Sequence, residues 1–114
     1  MEKKYDLEGR TFNFAKNVND YVNKLPKTIS NLENGKQLIR SAGSVGANYI
    51  EANESLSKKD FVMRIKICRK ESKESWFWLR LTTPNKDSED IKSRLIQEGM
   101  ELTKIFGSIV EKSK

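Results

Sequence analysis

Apolar residues along this chain recur at the spacing of a helix face, and two prolines divide the pattern into segments. Before Pro26, Phe14, Val18, Tyr21 and Leu25 follow one another at intervals of four, three and four, with Thr11, Ala15 and Val22 beside them. Those intervals define one amphipathic helix over about residues 7 to 24. After a loop around Lys27 to Asn31, Leu38, Ala42, Val45, Tyr49, Ala52 and Leu56 repeat in the same way, flanked by Ile39, Gly43, Gly46 and Ile50. They predict a second helix over about 31 to 54. Ser57 is suited to cap a third, with Asp60 in its first turn, where the helix dipole favours an acid. The third helix, about 58 to 82, carries one track through Phe61, Ile65, Cys68, Ser72, Ser75 and Leu79 and a second through Met63, Ile67, Phe77 and Leu81, and ends before Pro84. Asp87 or Ser88 is placed to cap a fourth, about 88 to 112, in which Ile91, Leu95, Glu98, Leu102, Ile105 and Ile109 share a face.

No segment alternates with period two long enough to make a strand, and Asn34-Gly35 lies between helical-looking polar residues, not between strand-like ones. Short connections make successive helices antiparallel neighbours. The fold predicted is therefore all-α, an antiparallel up-down-up-down four-helix bundle forming one domain across residues 1–114.

Composition narrows the function. Charged residues make up 33% of the chain against 36% apolar, so a lone bundle of this size buries a limited core, and self-association is a natural way to bury more. The single cysteine, Cys68, excludes an internal disulfide, and the lack of histidine excludes the usual zinc sets and every triad that needs an imidazole. No metal and no cofactor is expected. Neither the charged start, Met1 to Asp6, nor any other run is long and apolar enough for a signal peptide or membrane span, so a soluble cytoplasmic protein is expected.

Enzymatic chemistry finds little support. Cys68 lies on an apolar track, where a thiol is an inert small hydrophobe, and there is no phosphate-binding glycine loop. Glu71/Glu74 and Glu51/Glu54 stand at helical spacing but lack the histidines of a di-iron site, which leaves a solvated or ion-paired face. Arg40, Ser44, Asn48 and Glu51 stack along the second helix. With a turn near residues 55 to 58, Arg40 comes level with Glu74 and Glu71, so Arg40, Asn48, Glu51, Glu71 and Glu74 are the residues expected to form a structural polar network.

Two features point outward. The net charge is +6, and about +5 of it falls on the third helix, where Lys58, Lys59, Arg64, Lys66, Arg69, Lys70, Lys73 and Arg80 face only Asp60, Glu71 and Glu74. Such a stripe can neutralise phosphates without reading bases; the alternative is a merely solvated face. The run Ser41 to Ala47 contains Gly43 and Gly46, which together cost a helix about 2 kcal/mol relative to alanine. Close packing must offset that, within the bundle or between subunits, which makes Gly43, Gly46 and Ala47 candidate interface residues. Trp76, Phe77 and Trp78 occupy consecutive positions and cannot all enter one core, so Trp76 and Trp78 join the interface candidates.

The string Gly35-Lys36-Gln37-Leu38-Ile39-Arg40-Ser41, followed by Ser44 to Tyr49, Glu51-Ala52, Ser57 to Phe61, Lys70-Glu71, Glu74 and Trp78-Leu79, resembles the four-helix bundle protein family, also known as the 23S rRNA intervening-sequence protein family. The opening Tyr5 to Glu8 with Arg10 to Phe12, Phe14 and Ala15 fits as well, so the likeness spans essentially the whole chain. The accessory variability protein of bacterial diversity-generating retroelements is similar to this family. The resemblance implies a ring-shaped homopentamer with a basic surface and, in the retroelement branch, binding to a reverse transcriptase and to nucleic acid as a non-catalytic partner. The expectation is a homo-oligomeric scaffold that binds structured RNA or an RNA-protein complex through backbone phosphates. The competing expectation is an adaptor ring that engages a partner enzyme, such as a reverse transcriptase, without touching nucleic acid.

Overall fold

A computed structural model describes residues 6–114, so the Tyr5 of the opening motif and the charged residues before it lie outside the described residues. Four helices form: α1 (Leu7–Asn23), α2 (Ile29–Asn53), α3 (Lys58–Leu81) and α4 (Glu89–Lys112). No strand occurs among the described residues. Three starts are made by side-chain caps that accept an otherwise orphaned backbone N–H: Asp6 from Gly9, Thr28 from Asn31, and Ser57 from Asp60. The Thr28 cap starts α2 at Ile29, two residues earlier than the periodicity suggested. Neither Asp87 nor Ser88 caps α4 through its side chain; a short 3-10 turn, Lys86–Ser88, leads into it, and Glu89 and Asp90 place negative charge on the first turn instead.

The core is the expected one along α1, α2 and the first track of α3: Phe14, Val18, Tyr21 and Leu25, then Leu38, Ala42, Val45 and Ala52, then Ile65, Cys68 and Leu79 are all buried. Three expectations change. Leu56 is fully exposed, because α2 stops at Asn53 and Leu56 falls in the turn. Met63, Phe77 and Leu81, from the second apolar track of α3, lie on the outside. In the C-terminal half of α4 the fully buried row is Leu102, Phe106 and Val110, while Ile105 and Ile109 flank it. Glu98 leaves the core face to bond Arg10 on α1, whose guanidinium also reaches Glu101.

Helix pairs approach closely where side chains are small. α2 packs most extensively on α3, with Ser41 and Ser75 exchanging a hydroxyl hydrogen bond of 2.9 Å between them. α1 meets α2 over two glycines. A methyl group at Gly35 would stand 2.9 Å from Val22 Cγ1, and one at Gly46 would stand 3.2 Å from Thr11 Oγ1. At one end of the bundle, the buried Asn31 ties two loops together: its amide donates to the Pro26 and Thr83 carbonyls, and its oxygen accepts from the Thr83 N–H. Lys92 adds a bond to the Thr82 carbonyl that α3 leaves free.

These contacts set two expectations for thermal denaturation. Asn31→Ala strands three polar groups and is expected to cost about 2 to 3 kcal/mol, seen as a lowered Tm. Gly35→Ala must displace Val22 and is likewise destabilising; an unchanged Tm for either variant contradicts the packing described.

Candidate nucleic-acid interface

A helix turns about 100° per residue, and on α3 that rotation brings Lys58, Lys59, Lys66, Arg69, Lys70, Lys73 and Arg80 within roughly a third of the circumference. The arc lies beside the α4 seam, where the backbone of α4 comes close: Arg69 Cδ passes 3.6 Å from where a methyl on Gly107 would stand. All of these cations except the half-buried Arg69 are exposed. Arg64 is the exception to the stripe. It turns to the α2 side and donates to Asn48 Oδ1 at 3.0 Å, while the Asn48 amide bonds the Ser44 carbonyl and hydroxyl at 2.9 Å.

Of the three acids on α3, Glu71 and Glu74 are engaged on the α2 side, while the exposed Asp60 of the first turn forms no ion pair among the described residues. Arg40 Nη2 lies 2.9 Å from Glu74 and 3.5 Å from Glu71, whose side chain is only 8% exposed. The Glu71 oxygen nearest Arg40 makes a charge contact and no hydrogen bond. Glu51 is exposed, and its side chain joins neither this pair nor the Asn48 group among the described residues. Arg10 holds Glu98 at 2.7 Å and Glu101 at 2.7 Å; the bond to Glu98 binds the guanidinium proton more tightly, and bonds from Gln97 and then Arg10 pull the Glu101 carboxyl below its ordinary range. Among the described residues, the one carboxylate within salt-bridge reach of the α3 arc is Glu71, 3.9 Å from Lys70. Lys58, Lys59, Lys66, Arg69, Lys73 and Arg80 thus project charge with no acidic partner among the described residues.

The aromatic run divides three ways. Trp76 is half-buried against α4, with the Arg80 guanidinium 4.3 Å and the Lys73 ammonium 5.6 Å from its ring centre. Trp78 packs on the core with its indole N–H buried and unpartnered. Phe77, which the sequence did not single out as a site residue, is 48% exposed and packs edge-to-face with Trp78, the ring centres 5.1 Å apart.

The small residues of α2 also divide. Gly46 fits against Thr11, whereas Gly43 is exposed and a methyl there would meet nothing within 4 Å among the described residues. Gly43, Gly46 and Ala47, with Phe12, Ala15 and Ile50, line a mainly apolar groove of about 500 Å³ along the α1–α2 seam.

The profile of the 23S rRNA-intervening sequence protein family matches residues 3–108, nearly the whole chain. The chain belongs to that family. A crystal structure of a protein of unknown function from the S23 ribosomal protein family, from Bacteroides thetaiotaomicron VPI-5482, has the same fold: TM-score 0.74, 25% identity, covering 91% of this chain and 94% of that one. No protein with a curated function matches significantly. For this member of the family, no described helix is long and apolar enough to cross a membrane, and no group of described side chains is placed to hold a metal ion.

Cys68 has no access to solvent, and burial pushes its thiol up to about 12, far from the thiolate needed for nucleophilic chemistry at neutral pH. Because the folded thiol titrates above the 9.0 of a free one, the unfolded chain loses its proton first. Fold stability due to this group is complete below pH 9 and falls between about pH 9 and 12. Denaturation across that window should show a steeper loss for the native chain than for Cys68→Ala, and parallel curves would contradict the burial.

Proposed function

We propose that this protein is a non-catalytic, homo-oligomeric basic scaffold that binds nucleic acid, structured RNA or an RNA-protein complex, through backbone phosphates. The observation that carries this reading is the outer arc of α3, whose cations share one face while the nearby carboxylates are bound to Arg10 and Arg40. Uncompensated cations on a rigid helix form a phosphate-binding surface that needs no base contacts, so binding depends steeply on salt and little on sequence.

Self-association is supported by the α1–α2 groove. Gly43 weakens its helix and has no neighbour among the described residues of the subunit to offset that, while Phe12 is 65% and Ile50 48% exposed beside it. A second copy laid on this groove would cover all three and place the α3 arcs of several subunits on one assembly.

Retention of RNA and of DNA at low ionic strength, lost as salt is raised, is the expected behaviour. Replacing Lys66, Arg69 and Lys73 by glutamate should abolish it while leaving the oligomer intact; retention that survives the exchange points to a ring engaging a partner enzyme through protein contacts alone. Light scattering should give a multiple of the 13.2 kDa chain mass, and a monomer at working concentrations overturns the assembly. Gly43→Ala, harmless to an isolated helix and worth up to about 1 kcal/mol in its favour, should weaken that oligomer.

A further inference from the structure

The C-terminal half of α3 interleaves aromatic rings with the cations of the arc. By helix rotation, Lys73 and Arg80 lie between Trp76 and Phe77, and Lys70 borders Phe77 on the far side. The two rings are held differently. Trp76 has its ring occupied: Arg80 lies 4.3 Å and Lys73 5.6 Å from its centre, contacts that hold both flexible cations along the helix surface. A guanidinium laid on an indole keeps its N–H edge free to bond a phosphate. Phe77 is open. It is 48% exposed, it makes an edge-to-face contact with Trp78 with the ring centres 5.1 Å apart, and Trp78 is itself packed on the core. The ring therefore stands on a supported base at the helix surface, beside Lys73 and Arg80, which have no carboxylate partner among the described residues, and Lys70, which reaches Glu71 at 3.9 Å.

We infer that the Phe77 ring, flanked by Lys70, Lys73 and Arg80, is a base-stacking platform, and that the surface selects single-stranded over double-stranded nucleic acid. This inference rests on the proposed function and adds the class of strand. The physical reason is the accessibility of a base face. In a duplex the base faces are stacked on one another and only edges and phosphates reach a protein surface, so an exposed ring gains nothing from a duplex that alanine would not. An unpaired base turns its face outward and stacks on the ring while the adjacent phosphates meet Lys73 and Arg80. RNA and DNA offer the same base faces, so both single strands are included.

The test measures affinity of the full-length protein, at one fixed ionic strength, for a single-stranded RNA, a single-stranded DNA of the same sequence, and the matching DNA duplex. The native chain should hold both single strands more tightly than the duplex. Phe77→Ala should weaken both roughly tenfold, the loss of one stacked base, and leave the duplex affinity unchanged. Phe77→Tyr, which keeps the ring face, should retain the preference. Equal losses on single strand and duplex, or no loss on either, overturn the platform while leaving phosphate binding intact. A change in assembly size for Phe77→Ala, seen by light scattering, also overturns it, because the ring then serves a subunit contact. If the native chain retains none of the three ligands even at low salt, the proposed function fails, and this inference with it.

Discussion

The close contact of α2 and α3 is the constraint on which the rest of the structure depends. Ser41 and Ser75 meet across it where larger residues would force the helices apart, and Ser72, buried on α3 like Ser75, lies beside Gly99 of α4. Their hydroxyls are not a burden in the core, since Ser72 and Ser75 donate to carbonyls one turn back in their own helix and Ser41 shares a bond with Ser75. Once this pair is in register, Arg40 stands level with Glu74, Asn48 with Arg64, and the Cys68 thiol against the Val45 carbonyl. The same register decides which side of α3 is left for solvent, so the position of the cationic arc follows from the packing of its opposite face.

Two arginines arrange the surface charge. Arg10 draws Glu98 and Glu101 onto the α1–α4 seam, and Arg40 draws Glu74 and Glu71 onto the α2–α3 seam. Half-exposed ion pairs of this kind contribute little to stability on their own. Their larger effect is on the field: four carboxylates are gathered onto the seams around two arginines, and the positive charge near the outer side of α3 exceeds what a net charge of +6 spread evenly would give.

Much of this could be read from residue order alone, for identifiable reasons. The helices were legible because their apolar residues keep a helical period and because Pro26, Pro84 and the Ser57 cap punctuate them. The start of α2 was not, because Thr28-Ile29-Ser30 follows a proline and lacks the period that its cap makes unnecessary. The phase of α4 was not either: Ile105 and Ile109 compete with Phe106 and Val110 one position along, and a rotation of about 100° between two apolar rows is decided only by what they pack against. The stripe on α3 was legible from spacing, but Arg64 was not separable from it, since Asn48, which turns it aside, is on another helix. Arg10 with Glu98 lies 88 residues apart in the chain, a pairing that no local pattern announces. Phe77 was hidden among its tryptophan neighbours, because three adjacent rings cannot be sorted into inner and outer until the helix has a partner on each side.

The Asn31 amide has a consequence for how the two ends of the bundle behave. It bonds the segment leaving α1 and the segment leaving α3 through one planar group, so neither connection can shift without pulling the other. At the opposite end, the α2–α3 turn carries Leu56 wholly in water. The molecule is thus clasped at one pole by a side chain that joins two connections, while the turn at the other is closed by bonds between its own neighbouring residues.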